Sequence, residues 1–127
     1  METSIPRLFR AVAAEQPDAA AQYYKDEVGT FQKRNYLELR DDVNALASAL
    51  AYLGVGKGSH VGLISENCRE WLLSDLSILS LGAADVPRGL DATDDELRYI
   101  LKKAECRVVL VETVHHGRRV GALKPDL

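Results

Sequence analysis

One glycine-rich segment of the chain has the composition of a phosphate-binding loop. The segment Gly54–Ser59 reads GVGKGS. A phosphate cradle follows a strand and opens a helix, so that the N–H groups at the start of the helix face the anion. Here the glycines follow a helical pattern and precede an apolar strand, and the spacing Gly-x-x-x-x-Gly-Lys-Ser/Thr is absent. The segment is therefore predicted to be a turn that ends a helix and leads into a strand.

The histidines and cysteines are the residues that could bind a metal or act as a nucleophile. His115 and His116 are adjacent, so on a helix their rings would point about 100° apart, which disfavours a shared metal. His60 stands alone, and Cys68 and Cys106 form no Cys-x-x-Cys pair, so buried reduced thiols are expected. No Gly-x-Ser-x-Gly elbow is present. We accordingly assign no catalytic, cofactor-binding or metal-binding residue from the sequence.

Polar residues follow three short apolar segments, where a parallel sheet would bind a ligand. They are Ser65-Glu66-Asn67, Arg88-Gly89 and Glu112-Thr113. Arg88 is the candidate for contacting an anion at this edge. The pattern favours the alternative, an arginine that braces a loop.

The three apolar segments define the predicted fold. They are His60–Ile64, Ala84–Pro87 and Val108–Val111, their first residues are 24 positions apart, and a helical pattern fills each interval. Strands that alternate with helices are typical of an α/β fold. We predict a three-layer structure, with a parallel-rich sheet and helices on both faces.

Helix starts and helix faces are also visible in the sequence. An apolar stripe predicts a helix from Tyr36 to Leu53, which Gly54 should end in a left-handed cap. Three capping signals each pair a capping residue with a glutamate three positions on: Asn35 with Glu38, Asn67 with Glu70, and Thr93 with Glu96. They predict helices that start near these residues, and the second helix should be largely buried because its apolar residues lie on more than one side.

An amino-terminal helix and a β-hairpin are predicted to precede this core. The helix should cover Ile5–Glu15, and the hairpin strands should cover Ala19–Lys25 and Thr30–Arg34. Gly29 suits the hairpin turn because it can adopt a positive φ. We therefore expect helix plus hairpin in residues 1–35 and alternating helices and strands in residues 36–112.

Bulk properties limit the functional classes. The 127 residues fit one domain, and a net charge of −3 gives no reason to expect a nucleic acid partner. The amino terminus lacks the pattern of a signal peptide, and no apolar run approaches the roughly 18 residues that span a bilayer. The cytoplasm is the expected location.

Four segments resemble the amino-terminal portion of the AMP-binding (adenylate-forming) synthetases. They read IPRLFRAVAAEQPDAAA, NYLELRDDVNALASALAYLGVGKGSHVGLISEN, REWLLSDLSILSLGAADVPRG and VPRGLDATDDELRYIL. The resemblance runs from about Ile5 to Glu112 and is closest to the long-chain fatty acid–CoA ligases. Tyr36, Glu38, Gly82 and Pro87 match family motif positions that look structural. The chain would then be a single partial domain over residues 1–127, an incomplete part of the large amino-terminal domain of such an enzyme.

The resemblance implies an enzyme that uses ATP, Mg²⁺ and CoA. A carboxylic acid, here a fatty acid, attacks the α-phosphate of ATP, and a thiol then displaces AMP from the acyl-adenylate. The family's phosphate loop, ribose-binding aspartate, hinge and late lysine should all lie beyond residue 127. The chain alone is therefore expected neither to catalyse nor to bind ATP, Mg²⁺ or CoA tightly.

Two other hypotheses remain at this point. The chain could be a non-catalytic α/β binding or assembly module that self-associates or pairs with a separate chain, because an incomplete sheet leaves strand edges and apolar faces open. Contact with a membrane surface would suit a fatty acid substrate, although no basic amphipathic helix supports it.

The second hypothesis is an unrelated doubly wound binding domain, such as a receiver or a flavodoxin-like protein. A receiver is disfavoured because the first two core strands end in Ile64-Ser65 and Pro87-Arg88 instead of acids.

Overall fold

The computed structural model describes residues 4–127 and contains two separate sheets. In chain order the elements are α1 Ile5–Glu15, β1 Ala20–Lys25, β2 Phe31–Asn35, α2 Tyr36–Tyr52, β3 His60–Ile64, α3 Arg69–Ser80, β4 Ala84–Arg88, α4 Asp94–Lys103, β5 Val108–Val111, α5 Val114–Leu123 and a 3-10 turn Lys124–Asp126. The predicted strand bounds are therefore correct to within one residue.

The second sheet is parallel and places β3 in the centre, in the order β4-β3-β5. Val61 lies opposite Asp85 on one side and Val108 on the other, which fixes the register. The antiparallel hairpin of β1 and β2 forms the other sheet. The α/β class, the parallel sheet and the preceding helix and hairpin are confirmed.

Helices cover both faces of the parallel sheet because successive side chains of β3 point in opposite directions. On one face Val61 packs with Leu50 of α2 and Ile78 of α3. On the other face Ile64 packs with Leu97 of α4 and Leu123 of α5. Burying a side chain of this size contributes about 1.5–3 kcal/mol, so these two layers account for much of the stability.

Gly62 occupies the middle of the central strand for a steric reason. A Cβ atom placed on it would lie 2.8 Å from Leu101 Cδ2 and 3.1 Å from Val109 Cγ1. The absence of a side chain therefore allows α4 to approach the sheet closely.

Two of the three predicted capping boxes are present and one is wrong. Asn35 with Glu38 and Thr93 with Glu96 form reciprocal capping boxes. The box of Asn67 and Glu70 does not form, because α3 begins at Arg69, with Cys68 as a capping residue that makes no side-chain hydrogen bond. The carboxylate of Glu70 instead pairs with its neighbour Arg69, at 3.4 Å.

The third helix and the cysteines are less buried than predicted. Ser74, Leu76, Ser77 and Ile78 of α3 are buried, whereas residues 69–73 are at most half-buried. Both cysteines are free thiols, as predicted, but each is half-buried instead of buried. Within the part of the chain that the structure describes, no helix combines the length and apolar character needed to cross a membrane.

A charged cluster fixes the hairpin to the core. The carboxylate of Asp42 on α2 accepts hydrogen bonds from Arg34 of β2 and from Arg69 of α3, the latter at 3.1 Å. The Arg69 guanidinium also lies 5.3 Å from the centre of the Tyr24 ring. These contacts connect β1, β2, α2 and α3 through three half-buried charges.

Candidate functional site

The glycine-rich loop has no free set of backbone donors for an anion. Gly54 has a φ of 94°, the left-handed cap expected at the end of α2. The N–H of Val55 donates to Leu50 O at 3.0 Å, and the N–H of Gly58 donates to Gly82 O at 3.0 Å. The N–H of Gly56 donates to the Ser59 hydroxyl at 3.0 Å. The turn predicted from the sequence is therefore confirmed.

The carboxyl ends of β3, β4 and β5 lie at one edge of the sheet, as the parallel pattern predicts. At this edge Glu66, which follows β3, extends its carboxylate toward the loop after β4. Its Oε1 accepts the N–H of Leu90 at 2.8 Å. A Cβ on Gly89 would lie 3.0 Å from the same oxygen, so glycine suits this close approach.

Arg88 braces the same loop instead of pointing at an open site. Its guanidinium donates to Asp91 at 2.8 Å and to Glu96 at 3.2 Å. The hydrogen bond to Asp91 raises the pKa of Arg88 above its ordinary value. Because both carboxylates already compensate this charge, the bracing interpretation of Arg88 is the one the geometry supports.

His116 completes the bracing from the other side. It lies in the first turn of α5, where the Thr113 hydroxyl caps the helix by accepting the N–H of His116 at 3.1 Å. Its Nε2 lies 3.0 Å from Leu90 O, and its Nδ1 lies 2.7 Å from the Thr113 hydroxyl. Since a carbonyl oxygen can only accept, Nε2 carries the hydrogen and donates a hydrogen bond to Leu90 O. His116 is half-buried, whereas its neighbour His115 is exposed.

The polar residues at this edge do not fit Mg²⁺ and a nucleotide. Glu66, Arg88 and His116 all direct their polar atoms at the loop of residues 89–93. Across residues 4–127, no group of three His, Cys, Asp or Glu side chains is placed to hold a metal ion. The edge therefore acts as a braced support for the loop of residues 89–93.

The sequence analysis missed a pair of carboxyl groups, Asp75 of α3 and Asp85 of β4. Burial, together with a hydrogen bond to Asp85, raises the pKa of Asp75 from 3.8 to about 6. The two residues are ten positions apart on different elements, so no periodic pattern connects them. One signal was available, since Asp75 is the only charged residue between Trp71 and Leu81, a span rich in leucine.

Comparison with known proteins agrees with this architecture. The family model of the AMP-binding enzymes matches residues 9–126. The chain belongs to the AMP-binding enzyme family. The resemblance noted from the sequence is therefore correct at the level of the family.

Two curated relatives illustrate the range of similarity. The chain is 37% identical over 121 residues to phenyloxazoline synthase MbtB of Mycolicibacterium paratuberculosis, an alignment that covers 95% of this chain and 10% of that protein. It is 27% identical over 131 residues to the Bacillus subtilis protein named "Putative acyl-CoA synthetase YngI", which covers 100% of this chain and 23% of that protein.

Solved structures share the fold. A protein described as a putative long-chain-fatty-acid CoA ligase from Rhodopseudomonas palustris aligns with a TM-score of 0.85 and 24% identity, over 99% of this chain and 30% of that chain. NpsA-ThdA, an artificially fused adenylation–PCP di-domain from Klebsiella oxytoca, aligns with a TM-score of 0.79 and 25% identity, over 89% of this chain and 20% of that chain.

The chain spans a minor part of these proteins, between a tenth and a quarter of the two curated relatives. Similarity to relatives with different names supports membership of the AMP-binding enzyme family. It does not favour the fatty acid–CoA ligases to the degree that the sequence motifs suggested.

Proposed function

We propose that this chain is the amino-terminal scaffold segment of an adenylate-forming enzyme and is inactive by itself. The whole protein would activate a carboxylic acid with ATP and Mg²⁺ and pass the acyl group to a thiol. The observation that carries the proposal is the braced carboxyl edge, where Glu66, Arg88 and His116 are used in internal contacts. In this proposal residues 1–127 are one partial domain, with helix and hairpin in residues 1–35 and the core in residues 36–112.

A long-chain fatty acid is the first candidate substrate, with CoA as the acceptor thiol. The segment VPRGLDATDDELRYIL supports this candidate, and so does the alignment of the whole chain with 23% of the B. subtilis protein named "Putative acyl-CoA synthetase YngI". A cytoplasmic location with contact at a membrane surface would suit such a substrate and belongs to the same proposal.

A second candidate substrate is an amino acid or aryl acid that is passed to the thiol of a carrier domain. The higher identity to phenyloxazoline synthase MbtB, 37%, favours it. The match to an adenylation–PCP di-domain at 25% identity adds to this support. The two candidates differ in the acid and in the acceptor, so one panel of substrates separates them.

The experiment begins with the coding sequence downstream of the codon for Leu127. We expect a continuing frame that encodes a loop rich in glycine and threonine and ending in lysine. The encoded polypeptide is then assayed by ATP–pyrophosphate exchange with palmitate, octanoate, anthranilate and the twenty amino acids. Exchange with palmitate supports the first candidate, and exchange with an amino acid or anthranilate replaces it with the second.

The same material tests the alternative in which the chain is an assembly module. A polypeptide that lacks residues 1–127 should be inactive, because its sheet would lack the strands of this scaffold. If adding the 127-residue chain in trans restores exchange, the chain pairs with a separate remainder. If the shortened polypeptide keeps full activity without it, the scaffold proposal is wrong.

A further inference from the structure

We propose that an open cleft at the amino-terminal edge of the parallel sheet binds small amphipathic anions. The cleft has a volume of about 750 Å³ and lies beneath the starts of β3 and β5. It is at the opposite end of the sheet from the braced edge described above. The proposal does not depend on the proposed function.

The floor of the cleft is apolar. Val55 and Leu101 are buried there, and Val108 at the start of β5 is half-buried. At the mouth, Leu53 remains open to solvent, with an exposed fraction of 62%. A ligand with a short apolar body would remove this surface from water.

Three cationic side chains surround this floor, those of Lys57, Lys102 and Arg107. No carboxylate of residues 4–127 lies within ion-pairing distance of them, and this includes Glu105, which lines the same cleft. Arg34, Arg69, Arg88, Arg98 and Arg119, by contrast, each pair with at least one acid. The cleft is therefore lined by three cations and one carboxylate, and none of these cations forms an ion pair with an acid of residues 4–127.

The simplest other explanation for the charge is the helix dipole, which favours cations near the end of a helix. It accounts for Lys102 in the last turn of α4. It does not account for Lys57 and Arg107, which lie in connecting segments. An anionic ligand would use all three cations together.

The backbone that carries these cations is held in place. Beside Lys57, the Gly58 N–H donates to Gly82 O at 3.0 Å, and a Cβ on Gly82 would lie 3.4 Å from the Lys57 Cα. Before Arg107, the Cys106 N–H donates to Leu101 O at 3.0 Å. These contacts hold the backbone at Lys57 and Arg107, whereas the cationic side chains themselves are exposed, so binding has to order only the side chains.

The test uses 1-octanesulfonate below its micellar concentration and amide chemical shifts of the 127-residue chain. This anion has an apolar tail and is no substrate for carboxylate activation, so its binding is independent of the proposed function. We expect saturable shifts confined to residues 53–59 and 101–108. Methanesulfonate, with the head alone, and 1-octanol, with the tail alone, should bind at least about tenfold more weakly.

Two triple variants with the same change in charge provide the comparison. Lys57→Gln, Lys102→Gln and Arg107→Gln together should weaken octanesulfonate binding by about tenfold, as expected for the loss of three partly exposed ion pairs. The control replaces Lys25, Lys33 and Arg118 with Gln, which are exposed and lie outside the cleft. It should bind like the parent chain.

Three results would overturn the proposal. One is an equal loss of affinity in both triple variants, which would indicate a general effect of net charge. Another is a set of shifts spread over β4, residues 109–111 of β5 or the hairpin. The third is 1-octanol binding as tightly as octanesulfonate, since the tail alone would then explain the interaction.

Discussion

Replacing Asp75 with asparagine should stabilise the chain at neutral pH. Asp75 of α3 is half-buried, and burial together with the hydrogen bond to Asp85 raises its pKa from 3.8 to about 6. The folded chain therefore binds this proton more tightly than the unfolded chain does. The stability associated with it is complete below pH 3.8 and is lost as the pH rises through about 6. Asparagine removes the charge and keeps a donor for Asp85.

The size of the effect follows from the pKa. A rise from 3.8 to about 6 corresponds to about 3 kcal/mol if it is taken at full value. Because Asp75 is only half-buried, screening by water reduces this to about 1 kcal/mol. For a domain of this length, that gain should raise the melting temperature by about 4 °C at pH 7.5. At pH 3.5 the variant and the parent chain should melt together.

The assay is thermal unfolding followed by circular dichroism across pH 3.5–8, with Asp18→Asn as the matched control. Asp18 is exposed and makes no ion pair within residues 4–127, so its replacement should change the melting temperature little at any pH. If Asp75→Asn is no more stable than the parent chain at pH 7.5, or if its gain is the same at pH 3.5, the explanation from a shared proton is wrong.

Three further substitutions test the packing and the polar contacts by the same unfolding assay. Gly62→Ala should lower the free energy of unfolding by about 1–3 kcal/mol because its Cβ would meet Leu101 at 2.8 Å. Gly56→Ala, with nothing within 4 Å of its Cβ, should lower it far less, and equal losses would contradict the steric explanation. Thr93→Ala should lower the free energy of unfolding by about 1 kcal/mol because the α4 capping box is lost, whereas the control Thr30→Ala should leave it unchanged. An unchanged stability in Thr93→Ala would show that the cap contributes nothing. Asp42→Asn should lower the free energy of unfolding by about 1–2 kcal/mol because Arg34 and Arg69 lose their shared carboxylate. Asp41 is exposed, so Asp41→Asn should be near neutral, and similar losses at the two sites would refute a bridging role.

Local and periodic features were predictable from the sequence. The even spacing of the three core strands gave the parallel sheet, and the apolar stripe from Leu39 to Leu53 gave α2 to within one residue. The boxes at Asn35 and Thr93 were found because each depends on residues three positions apart. The box predicted at Asn67 was wrong because α3 begins at Arg69, so that Cys68 is the capping residue and Glu70 is the second helical residue instead of the third.

Contacts between elements distant in sequence could not be predicted. The place of Gly62 against Leu101, and the contact of Asp75 with Asp85, depend on how α4 and α3 sit against the sheet. A bracing role for Arg88 was favoured from the sequence, but its partners, Asp91 and Glu96, were not identified there. The sequence could therefore nominate the edge of the sheet but could not say that its charges were already paired.

The central claim is that these residues support an active site whose reactive groups lie in other polypeptide. Carboxylate-dependent ATP–pyrophosphate exchange by the purified 127-residue chain tests it most directly, with palmitate and a mixture of amino acids as substrates in the presence of Mg²⁺. We predict no exchange above the rate without carboxylate. Reproducible exchange that depends on the added acid would contradict the claim, because the chain would then contain an adenylate-forming site of its own.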